Sequence, residues 1–124
     1  MMAKNLKNCM AFVVGDGTLL RELLHPSREN VDVPYSIAHA KLKPGNESLT
    51  HKLKSTEVYY IISGSGILHV GKEARKVAQG SVIHVPANSS QHIKNSGKID
   101  LEFLCVVSPP WKKKTKRLYN RKRC

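Results

Sequence analysis

The chain has 124 residues, a length suited to one domain, and 40% of them are hydrophobic, enough for a small core. Its formal net charge of +12 is unevenly spread: residues 112–124 hold eight Lys or Arg and no acid, which leaves residues 1–111 at +4. The charge therefore belongs to a tail and not to the fold, and no run approaches the ~18 apolar residues that would span a bilayer.

The N-terminal stretch 1–14 carries Lys4 and Lys7 and then a weakly apolar run, Met10 to Val14. That run is too short for a signal-peptide core, so a cytoplasmic location is the expectation. From there the sequence becomes a succession of short apolar runs separated by turn formers. Thr18 to Leu24 closes at His25-Pro26 and the polar stretch Ser27 to Asp32, and Tyr35 to Leu42 ends at Pro44-Gly45. Glu57 to Ile62 ends at Ser63-Gly64-Ser65-Gly66, Ile67 to Val70 at Gly71, and Ala74 to Ala78 at Gly80. Val82 to Val85 ends at Pro86, Gln91 to Asn95 at Gly97, and Leu101 to Val107 at Pro109-Pro110. Breaks by Gly or Pro every ~8–12 residues predict an all-β sandwich or barrel. No segment before residue 112 sustains a helical period over three turns.

Alternate residues of a strand share a face. Glu57, Tyr59 and Ile61 fall on one side of their strand, with Val58, Tyr60 and Ile62 on the other. Both faces are largely apolar, so one is expected to line the interior and the other to be covered by a second sheet or by a second copy in a homodimer. In the preceding strand Ser36, Ala38, Ala40 and Leu42 form the small-residue face suited to a cavity, which leaves His39 on the far side. Gln91, Ile93 and Asn95 share a face, and His92 takes the opposite one. His69 and His84 stand singly in apolar strands and read as packing residues, and His25 reads as solvated. The three cysteines, Cys9, Cys105 and Cys124, lack the spacing of a disulfide framework or a zinc ribbon, and Cys105 reads as a small buried hydrophobe.

Two spaced constellations go further. Residues 45 to 64 read Gly45, five residues, His51, Lys52, Leu53, three residues, Glu57, six residues, Gly64. Residues 80 to 95 read Gly80, five residues, Pro86, Ala87, Asn88, two residues, Gln91, three residues, Asn95. The pair resembles the two motifs of the cupin superfamily, G-x5-H-x-H-x3-E-x6-G and G-x5-P-x-G-x2-H-x3-N, across residues 15 to 111. Leu53 stands where the second His belongs, Asn88 where a Gly belongs, and Gln91 where the last His belongs. The resemblance implies an RmlC-like double-stranded β-helix, the jelly-roll barrel. Its domain would span 15–111, between the N-terminal segment 1–14 and the basic tail 112–124.

In metal-holding cupins the corresponding set is three His and one Glu, suited to Fe, Mn, Zn, Ni or Cu. Here it becomes His51, Glu57 and Gln91, a weaker set for one divalent ion with water completing the shell. Without metal, the same residues read as a hydrogen-bonded His51–Glu57 pair in a polar pocket. Leu53, Tyr59, Ile61 and Phe103 are the expected pocket lining, with Leu101 and Cys105 beside them, an apolar site with few polar groups as small organic molecules require. Glu57 is the candidate base and His51 the group that polarises a substrate, in isomerase, cyclase or oxygenase chemistry. A non-catalytic small-ligand sensor or binding module is the alternative, and polyanion or nucleic-acid contact through Lys112 to Arg123 a third reading. The chain carries no phosphate-binding, dinucleotide or serine-hydrolase signature.

Overall fold

The fold is described from a computed structural model that covers residues 1–14 and 17–110. Among these residues ten strands form: β1 (Phe12–Val14), β2 (Thr18–Leu24), β3 (Ser36–Leu42), β4 (His51–Lys52), β5 (Thr56–Ser63), β6 (Ser65–Val70), β7 (Glu73–Ala78), β8 (Val82–Val85), β9 (Ser90–Asn95) and β10 (Leu101–Ser108). Every run predicted from the sequence is a strand, with ends displaced by a residue or two. Phe12–Val14, read only as weakly apolar, pairs with β2 as an edge strand. The stretch after His25 holds one helical turn, α1 (Pro26–Glu29).

The strands make two antiparallel sheets, a six-stranded one in the order β1-β2-β3-β10-β5-β8 and a four-stranded one in the order β4-β9-β6-β7. The architecture is the two-sheet jelly roll, and its hydrogen-bond ladders are two separate sheets rather than one closed ring. Strand β10 sits between β3 and β5 and alternates strictly, with Leu101, Phe103, Cys105 and Val107 buried. Leu101, Phe103 and Cys105 join Tyr59 and Ile61 of β5, Ala40 and Leu42 of β3, and Leu68 and Ile93 of the facing sheet in the main core cluster, and Val107 packs separately with Leu53. The sequence pattern is what a sheet with one buried face demands. On the far face of β5, Tyr60 is 45% exposed, and Val82 on β8 is 67% exposed.

His25 and His84 depart from expectation, and His39 does not. His25 is buried, caps α1 and accepts the Ser27 N–H on Nδ1 at 3.3 Å. A carboxylate of Glu29 accepts the His25 N–H at 2.7 Å, so a capping pair replaces the expected solvated ring. Burial works against the Glu29 carboxylate, but the His25 N–H and Lys4 outweigh it and hold its pKa below the ordinary value. His84 is exposed and its Nε2 lies 2.6 Å from the Thr56 hydroxyl, so it is not a packing residue. His39 is buried on the far side of β3, where Nε2 meets Glu102 at 3.0 Å. Cys9 and Cys105 are both buried. The basic tail lies outside the described residues, and no helix within them is long and apolar enough to cross a membrane.

Candidate functional site

One end of the core is polar. Strand β4 lies in the four-stranded sheet and β5 in the six-stranded one. The chain crosses between the sheets at residues 53–55, so His51 and Glu57 stand on opposite sheets. His51 stands directly across from Gln91 in the β4–β9 ladder, which puts both side chains on one face. Gln91 is buried at 2% exposure, and its Oε1 accepts the hydroxyl proton of Tyr59 at 2.5 Å. Tyr59 shares the inward face of β5 with Glu57. Leu53 is buried against Val107, the register partner of Glu57. Tyr59 thus links Gln91 to the strand that carries Glu57, with His51 across the ladder from Gln91 and Leu53 against Val107, while Ile61 and Phe103 pack in the same core cluster as Tyr59. The Tyr59 and Phe103 rings are tilted, with centroids 5.3 Å apart.

The local chemistry differs from residue to residue. Burial, then the neighbouring Glu57 and Cys105, push the Tyr59 phenol well above its ordinary pKa, so it remains an O–H donor. A carbonyl oxygen can only accept, so the 3.1 Å contact from His51 Nδ1 to the Leu49 carbonyl places a proton on Nδ1. In the neutral ring the lone pair is then on Nε2, the tautomer that a metal or a proton donor meets, held by a backbone carbonyl as ligating histidines are. Glu57 is 2% exposed, and its Oε1 is buried with no hydrogen-bond partner among the described residues. Such an atom costs ~1–3 kcal/mol of stability.

The Gly-to-Asn replacement in the second motif has a physical account. Asn88 takes φ 63°, the left-handed region that Asn tolerates best after Gly. Its N–H donates to the Leu53 carbonyl at 2.7 Å, tying the two motifs together. The motif's final Asn95 is fully buried and structural. Its Nδ2 donates to the Leu42 and Ile99 carbonyls, both at 2.8 Å, and its Oδ1 accepts the Gly97 N–H at 2.9 Å. Beside it the backbones close tightly: a Cβ on Gly66 would lie 2.4 Å from the Lys94 carbonyl oxygen.

The family's metal set fits these residues only in part. His51 and Glu57 offer a nitrogen and a carboxylate, Leu53 offers nothing, and the Gln91 oxygen is engaged by Tyr59. Among the described residues no three His, Cys, Asp or Glu converge as a metal-holding group. His92, beside Gln91, faces outward and stacks on His69 with centroids 4.3 Å apart.

Comparison with known proteins agrees with the motif spacing. Residues 38–107 match the family described as Cupin domain. An uncharacterised protein of Methanocaldococcus jannaschii is 36% identical over 101 residues, 81% of this chain and 80% of its own length. The oxalate-binding protein of Thermotoga maritima is 37% identical over 71 residues, 56% of this chain and 59% of its own. The crystal structure of a predicted oxalate decarboxylase from Thermotoga maritima superposes with a TM-score of 0.77 at 26% identity, covering 87% of this chain and 99% of that one. The chain belongs to the cupin family.

Proposed function

We propose that the protein binds a small organic molecule at the polar end of its jelly roll, where Glu57 and His51 contact it over the floor of Tyr59, Ile61 and Phe103. The observation that carries this reading is the buried, unpartnered Oε1 of Glu57. An atom of that kind is matched by a donor group, from ordered water or from a ligand, or by a cation. The apolar lining with few convergent polar groups has the profile of a small-molecule site.

The finer reading is a weakly held divalent ion on His51 and Glu57, with Gln91 as third donor once its oxygen is released from Tyr59. Such an ion would supply charge to polarise a substrate carbonyl or carboxylate. Glu57 would act as base and His51 would orient the substrate, in isomerase, cyclase or oxygenase-type chemistry. A metal-free binding module is the second reading, favoured by Leu53 in the ligand set and by the 2.5 Å Tyr59–Gln91 bond. Oxalate, the ligand named for the Thermotoga maritima relative, is the first molecule to try. As a dianion it would face the Glu57 carboxylate unfavourably unless a cation lay between them. The same reading sets a second copy against the outer face of the six-stranded sheet, where Tyr60 and Val82 are exposed.

Thermal denaturation of untagged protein against a panel of small organic acids, with and without Mn2+ or Zn2+, tests both levels. Stabilisation that vanishes in Glu57→Leu supports the site. Dependence on the metal, lost in His51→Ala, supports the ion, and stabilisation without metal supports the binding module. Stabilisation that persists in Glu57→Leu would place the ligand elsewhere.

A further inference from the structure

The outer face of the four-stranded sheet carries a second cluster that the cupin motifs do not include. His69 on β6 stands directly across from His92 on β9. Their chain neighbours Leu68 and Ile93 point inward and are 1% exposed, so the two imidazoles project to the surface. The rings lie stacked, with centroids 4.3 Å apart and planes within 9° of parallel. Glu47 reaches the same spot from the loop before β4. Its backbone is anchored by a bridge to Lys94, and its Oε2 lies 3.5 Å from His92 Nε2. The Thr50 hydroxyl approaches the other ring nitrogen, Nδ1, at 3.4 Å.

Two imidazoles and one carboxylate at one place are the donors that borderline divalent ions select. We infer that His69 and His92, with Glu47 as third donor, form a surface site for a divalent transition ion such as Ni2+, Zn2+ or Cu2+. It lies on the opposite side of β9 from Gln91 and shares no residue with the Glu57 pocket. Two nitrogens ~2.1 Å from one ion stand roughly 3 Å apart, so the stacked rings must splay to converge. Surface side chains make that rotation without moving the ladder. The three donors do not yet converge as a metal-holding group. Binding must draw them in, water completes the shell, and the affinity is modest. A consequence is that metal found in the purified protein does not by itself report the interior site.

Titration of the full-length untagged chain with Ni2+ alone, by calorimetry and by NMR of the histidine rings, tests the assignment. Paramagnetic broadening centred on the His69 and His92 rings, and unchanged in His51→Ala, is the expected result. His69→Gln and His92→Gln, which keep the surface polar, should each weaken Ni2+ about tenfold or more, and Glu47→Gln should weaken it less. Ni2+ affinity unaltered by both glutamine variants, loss of all binding in His51→Ala, or no Ni2+ bound by the parent chain would each overturn the proposal.

Discussion

Strand β9 ends in two different kinds of polar residue. At one end Asn95 is fully buried, its side chain donating two hydrogen bonds to carbonyls and accepting one from an amide, and backbone crowds against Gly66. At the other end Gln91 has its oxygen held by Tyr59, and beside them Glu57 keeps a buried oxygen without a partner among the described residues. Burial is equal at the two ends, yet satisfaction of the buried atoms is not. The complete end is architecture, and the incomplete end is where the proposed ligand would supply the missing partner.

The sharpest way to break this contrast is Asn95→Ala. It strands two buried carbonyls and an amide, and should cost about 3 kcal/mol or more in denaturant unfolding. A loss below 1 kcal/mol would show that the knot is not structural. Next, Leu53→His with Gln91→His restores the family's imidazoles and should raise affinity for a divalent ion in the interior by at least about tenfold, read by calorimetry in a His69→Gln/His92→Gln background. Unchanged affinity would mean that the end cannot assemble a metal set. Glu57→Leu should leave stability within about 2 kcal/mol of the parent, or raise it, because it removes an unmatched oxygen at similar volume. The same variant should abolish ligand stabilisation. A severe loss of stability would make Glu57 architectural after all. Tyr59→Phe removes one buried hydrogen bond and should cost roughly 1 kcal/mol while freeing the Gln91 oxygen.

The smallest effect concerns pH. Burial depresses the His39 pKa below its ordinary 6.5, and the Glu102 partner only partly offsets this. The unfolded chain therefore binds more protons than the folded one below pH 6.5, and stability falls as pH drops through that window. His39→Leu should flatten the acid limb of a stability–pH curve measured between about pH 7 and 5, relative to the parent. An unaltered acid limb would exclude His39 as its source.

Much of this was readable in advance, for identifiable reasons. Strands β2, β3 and β5 to β10 follow from short apolar runs and from the Gly or Pro breaks between them, both local properties. The parity argument placed Gln91, Ile93 and Asn95 on one buried face and turned His92 away from it, as found. What escaped depended on contacts between distant segments. Phe12–Val14 becomes a strand only because β2 offers it an edge. His69 and His92 look single in their own strands and become a pair through the β6–β9 register. His51 and Glu57 sit too close in sequence to announce that they belong to opposite sheets. The Tyr59–Gln91 bond needed the facing of those sheets, although a large aromatic and an amide on inward positions were both visible. Asn88 was visible as a departure from the motif, and its left-handed φ explains why that departure is tolerated.

The most direct measurement is a high-resolution crystal structure of the full-length untagged protein grown with the organic acid or ion that stabilises it. The account predicts density at Glu57 Oε1, at hydrogen-bond distance (~2.6–3.2 Å) for a molecule or ~2.1 Å for an ion, with His51 Nε2 on the same species. Glu57 satisfied by a protein group, with the ligand bound elsewhere, would contradict it.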